Sequence, residues 1–146
     1  MNAWHRFKTS IGIGLGAAAI LLAGCANMMS SGKQVNVALS GTEQVPAVST
    51  AARGSGTITV GEDHSVSGSV TISGLAPVAA HIHVGARGKN GPVAVGLTKT
   101  SDTVWSVPAG AKFNDAQYQA FLAGDTYLNF HTPAHKGGEI RGQLLP

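Results

Sequence analysis

From residue 35 onward, apolar and polar side chains alternate with a period of two in short runs, the mark of strands buried on one face only. The runs are VNVALS (35–40), GTITV (56–60), SVSGSVTISGL (65–75), AAHIHVGA (79–86), VAVGLT (93–98), TVWSV (103–107), TYLNFHT (126–132) and EIRGQLL (139–145). Between them lie GEDHS, GARGKNGP and HKGG, where Gly, Asn, Asp and Pro supply turn chemistry. Short strands at this spacing predict an all-β domain, a Greek-key sandwich or barrel. The pattern breaks once, at NDAQYQAFLAGD (114–125). Asn114 is placed as an N-cap with Gln117 three residues on, Tyr118, Phe121 and Leu122 share a face, and Gly124 stops the segment. A short crossover helix is expected there, with its aromatic residues in the core.

The first residues have a different character. Arg6 and Lys8 precede an uncharged run from Ile11 to Gly24, and Cys25, the single cysteine, follows at once. The run is short for a bilayer span, which needs about 20 apolar residues. LAGC (22–25) resembles the bacterial lipoprotein signal, in which the leader is cut before a cysteine that then carries lipid. Residues 1–24 are thus expected to be a signal peptide, Cys25 the lipidated residue, 25–34 a polar tether and 35–146 the domain. The resemblance implies export and anchoring to the bacterial cell envelope through the lipid. Ala26, rather than an acidic residue, implies the outer membrane if the bacterium has two. With one cysteine the chain has no intramolecular disulfide.

Charge adds an exclusion. Without Arg6 and Lys8, the 10 basic residues of the chain fall to 8 against 7 acidic ones. The remaining lysines and arginines are scattered singly, so no nucleic-acid footprint is present.

Strand parity gives the chemistry a location. His81 and His83 share one face while Ala80, Ile82 and Val84 share the other, which is the core side. The same parity turns Leu128 and Phe130 inward and Tyr127, Asn129 and His131 outward. It also turns Ile140, Gly142 and Leu144 inward and Glu139, Arg141 and Gln143 outward. Neutral imidazole is the commonest protein ligand for zinc and copper. His81 and His83 provide two ligands side by side, His131 a third, and His135 or Glu139 a fourth, provided the strands are neighbours. The plainer reading is that the outer faces of antiparallel sheets are polar by default. His64, in the turn GEDHS, reads as a solvated turn residue.

Other chemistries find little footing. No serine sits in a nucleophile elbow, GARGKNG lacks phosphate-loop spacing, and no carboxylate pair is evident. GARGKNG reads as a loop whose Gly88 and Gly91 permit positive φ.

SGTEQVPAVSTAARGSGTITV, AAHIHVGARGKNGPVAVGL and LAGDTYLNFHTPAHKGGEIRGQL, in that order, resemble the CHRD domain, the chordin-type domain also found in bacterial secreted proteins. The resemblance covers about 35–145. It implies an immunoglobulin-like β-barrel or sandwich with a distant likeness to copper/zinc superoxide dismutases. Those enzymes carry a strand His-x-His for copper, matched here by His81 and His83. The likeness would make His131 and His135 further copper ligands and set Arg141 beside the site, though none of the three matches a motif, and the zinc loop and disulfide are missing. Three functions are compatible with these residues. The first is a non-catalytic envelope lipoprotein binding copper or zinc. The second is a metal-free module contacting a protein or glycan outside the cell or in the periplasm. The third is a copper-only enzyme acting on superoxide.

Overall fold

The computed structural model describes residues 31–146. The expected leader and Cys25 lie outside the described residues. Nine antiparallel strands and one α-helix form the domain: β1 Gly32–Ser40, β2 Arg53–Gly61, β3 Val66–Ser73, β4 Ala79–Val84, β5 Val93–Gly96, β6 Thr98–Lys99, β7 Val104–Ser106, α1 Asp115–Leu122, β8 Thr126–His131 and β9 Ile140–Leu144. A single turn of 3-10 helix, Gly41–Glu43, follows β1. Among the described residues no helix is long and apolar enough to cross a membrane.

The sheet order is β5-β4-β8-β9-β1-β2-β3-β7-β6. The two outermost strands, β5 and β6, are separated along the chain by Leu97 alone, so the sheet curls round until its ends meet. The result is a nearly closed barrel. The expected run VAVGLT is two strands because the chain turns at Leu97, whose side chain enters the core and whose N–H donates to the Ala80 carbonyl at 2.8 Å.

Alternation produces the core as expected. Val35, Val37 and Leu39 of β1 are buried, and so are Ala80 and Ile82 of β4, Leu128 and Phe130 of β8, and Ile140 and Leu144 of β9. Trp105 of β7 meets Phe130 edge-on with ring centroids 5.9 Å apart, joining the two ends of the sheet order across the barrel. β1 begins earlier than the sequence predicts. Gly32, Lys33 and Gln34, assigned above to the tether, pair with Gly61, Val60 and Thr59 of β2. All three residues are exposed, so no hydrophobic alternation marks them as strand.

The helix forms where expected. Asn114 accepts from the Gln117 N–H while the Gln117 side chain accepts from the Asn114 N–H, a reciprocal capping box. Phe121 is fully buried against Phe113, a burial that stabilises by roughly 2–3 kcal/mol. The helix face is narrower than its sequence implies, because Leu122 is exposed while Phe121 and Tyr118 pack inward. His64 is also not a freely solvated turn residue. It takes φ 67°, stacks on Tyr118 with centroids 4.2 Å apart, and lies 3.5 Å from Asp115, tying the β2–β3 turn to α1.

The outer face of β4-β8-β9 departs most from expectation. Tyr127, Asn129, Arg141 and Gln143 point away from the core as parity requires, yet all four are buried. Four chain segments fold over them, and their polar groups hold those segments down. Asn129 accepts from the Gln44 side chain and donates to the Gly137 carbonyl. Gln143 donates to the carbonyls of Gly85 and Gly124, each at 2.9 Å. The polar face is thus a second, hydrogen-bonded layer, consistent with the rule that buried polar groups find partners.

Candidate metal centre

β4 and β8 are neighbours, which makes the three-histidine arrangement geometrically real. Their register sets Ala79 opposite His131, His81 opposite Asn129 and His83 opposite Tyr127. His81 and His131 are therefore diagonal neighbours on one face, and His83 is the next outward position along β4. His81 Nδ1 and His131 Nε2 lie 3.1 Å apart. One nitrogen from each of His81, His83 and His131 lies within 4.8 Å of the others, and these three residues form the only such cluster of histidine, cysteine and carboxylate groups among the described residues. Zinc–nitrogen bonds of about 2.0–2.1 Å in tetrahedral geometry put ligand nitrogens roughly 3.3 Å apart, so the His81–His131 pair already has ligand spacing.

The rings are oriented from behind. His83 Nδ1 donates to the Gly91 carbonyl at 2.9 Å, and His131 Nδ1 donates to the Lys136 carbonyl at 2.9 Å. A carbonyl only accepts, so in the neutral rings the proton sits on Nδ1 and Nε2 keeps its lone pair. Such outer hydrogen bonds fix tautomer and orientation at metal sites. His83 Nε2 is buried and has no hydrogen-bond partner. An acceptor left so costs about 1–3 kcal/mol, which a ligated cation would offset. The donor set and its orientation fit a transition metal.

Burial pushes the pKa of His81 below the ordinary histidine value, and proximity to His131 pushes the same way. His83 is lowered chiefly by burial, against which its bond to Gly91 acts, while His81, His131 and Arg141 reinforce the shift. Both rings are kept neutral, the state that ligates.

Gly91 is the residue whose role sequence reading misplaced. It does not take a positive φ, as Gly88 does at 76°. Its hydrogen is needed because a Cβ would stand 1.7 Å from the Val84 carbonyl oxygen. That contact lets the Gly91 peptide do two things at once, since its carbonyl accepts from His83 and its N–H donates to the Tyr127 hydroxyl at 3.1 Å. The Tyr127 ring stacks on His83, 4.9 Å between centroids and 8° from parallel. From β9, the strand on the other side of β8, the Arg141 guanidinium lies 3.4 Å from the centre of the Tyr127 ring. Arg141 donates to Ala86 O and Gln143 Oε1, each at 3.2 Å, and to Asn90 Oδ1 at 3.4 Å. The single sequence signal for this support was the glycine-rich segment following His-x-His; its fold-back over the sheet has no local signature.

The expected fourth ligands do not join. Glu139 accepts from Thr50 Oγ1 at 2.9 Å and from Thr132 Oγ1 at 2.8 Å, and both its oxygens are thereby engaged. His135 sits in the turn after β8 and lines a groove with Val45, Pro46 and Val48, outside the cluster. The centre has three imidazoles and no carboxylate.

Fold and site together define an all-β domain that carries a three-histidine, metal-competent cluster on the outside of its barrel. The model of the CHRD domain matches residues 35–144, and the chain belongs to that family. No curated protein and no solved structure matches it.

Proposed function

We propose that this CHRD-domain protein is an exported lipoprotein, anchored through Cys25, that binds one copper or zinc ion through His81, His83 and His131 without catalysing a reaction. The observation that carries this reading is the buried, unpartnered Nε2 of His83 within reach of the other two imidazoles. Three neutral imidazoles and no thiolate suit zinc and copper rather than calcium or magnesium. Three protein ligands also leave a coordination position open to water or an outside ligand.

The test is titration of the chain from Ala26 onward with copper and with zinc, beside the His81→Ala, His83→Ala double variant. One ion bound per chain, lost in the variant, is expected. An absence of stoichiometric binding would reject the metal and leave a metal-free module recognising a protein or glycan.

A further inference from the structure

The cleft where β1, β2 and β9 meet has no part in the histidine cluster. It encloses about 390 Å³, and Ser40, Glu43, Arg53, Arg87 and Gln143 are among the residues that line it. We infer that this cleft binds a phosphate-type oxyanion, a phosphomonoester or the phosphate of a lipid headgroup.

The arginines carry the inference. The described residues include three, and all of them gather at this corner. Arg53 and Arg87 line the cleft. Arg141, 1% exposed, lies behind its wall and is bonded to the lining residue Gln143. Only Arg87 has a carboxylate partner, Glu43 at 2.7 Å; Arg53 and Arg141 form no ion pair among the described residues. Arg53 is held by the carbonyls of Thr50 and Ala52 through Nη1, which leaves the rest of its fork free. Two guanidiniums and one carboxylate line the cleft, and the buried Arg141 behind its wall adds a further positive charge, so the corner has an excess of positive charge that an oxyanion balances.

The charge is also placed with direction. Strand register puts Arg53 and Arg141 beside Ser40, at the C-terminal end of β1. The acidic residues Glu62 and Asp63 follow Gly61, which pairs with Gly32 at the other end of that strand. A planar, permanently charged fork recognises oxyanions in two-pronged fashion, and this is where arginine surpasses lysine. Glu43 acts as the internal competitor that an incoming phosphate displaces from Arg87. No aromatic side chain is among the residues that line the cleft, which leaves charge as the recognition element.

Calorimetric titration of the full-length chain in non-ionic detergent tests this, with inorganic phosphate and dihexanoyl phosphatidate as probes. Saturable binding is expected, weakened at least about tenfold in Arg53→Gln, Arg87→Gln and by added salt. Glu43→Gln leaves both arginines in place and is expected to tighten binding; circular dichroism checks the fold of each variant. Tighter binding of phosphatidate than of phosphate assigns the cleft to lipid headgroups, and equal binding assigns it to free oxyanions. His81→Ala, which keeps the His83–Gly91 bond that holds the loop carrying Arg87, is expected to bind phosphate as the unaltered chain does, which separates this site from the metal centre. The inference is overturned if neither probe binds saturably, if the double arginine variant binds undiminished, or if Glu43→Gln binds no more tightly.

Discussion

The carbonyl oxygen of Gly91 accepts the Nδ1 proton of His83 at 2.9 Å, across a contact with β4 so close that no other residue fits at position 91. The loop after β4 thereby folds back to set the tautomer of a ligand on that same strand. Ligand orientation and loop closure are one interaction.

Gly91→Ala is therefore expected to damage both. A Cβ within 1.7 Å of the Val84 oxygen forces the loop from the strand, and a stability loss of about 2 kcal/mol or more is expected. Metal affinity should fall about 10–100-fold, the usual cost of losing a group that orients a ligand. Thermal unfolding and metal titration of the variant check the two effects, and unchanged affinity would refute the orienting role.

Arg141→Leu is expected to destabilise by about 2 kcal/mol, because the buried Gln143 Oε1 would lose its donor and the part-buried bonds to Asn90 Oδ1 and Ala86 O would be lost with it. Arg141→Lys should recover little, since an ammonium cannot stack on Tyr127 and reach all three acceptors. Urea denaturation of both variants measures the difference. A lysine variant as stable as the parent would show that charge alone matters here.

Thr126→Val is expected to raise the stability. The Thr126 hydroxyl is buried without a hydrogen-bond partner, and valine has nearly its shape without the polar atom. A gain of about 1 kcal/mol, near 4 °C in Tm, is the expected size. A lower Tm would mean that the hydroxyl has a partner in solution.

Stability without metal should fall as the solution is acidified. His81 and His83 have pKa values below the ordinary 6.5 when folded and regain it when unfolded. Between those values the unfolded chain binds more protons, so folding stability rises with pH. The contribution is complete above about 6.5 and is lost as pH falls towards the lowered folded values. A Tm series across this range should slope less in His81→Ala, His83→Ala than in the parent; equal slopes would place the titration elsewhere.

The strand runs, the capped helix and the inward parity of Ile82, Phe130 and Ile140 were legible because each follows from a local period or a side chain's reach along its own segment. The start of β1 at Gly32 was not, since exposed Lys33 and Gln34 show no alternation and are held in the strand by pairing with β2. Leu122 misled for a related reason: its spacing fits the apolar stripe, but the barrel covers only the part of α1 occupied by Phe121 and Tyr118.

For the site, the sequence alone determined that His81 and His83 share a face and that His131 points the same way, because side-chain alternation on a strand is a covalent consequence of backbone geometry. Only the tertiary structure decided that β4 lies against β8, bringing His131 to His81, and that Glu139 and His135 stay apart from them. It also decided that the polar side of the sheet is buried, because loops distant in sequence satisfy Asn129, Arg141 and Gln143. Strand order, register between distant segments and loop fold-back depend on long-range contacts, and a local pattern of residues holds no record of which segment will supply them.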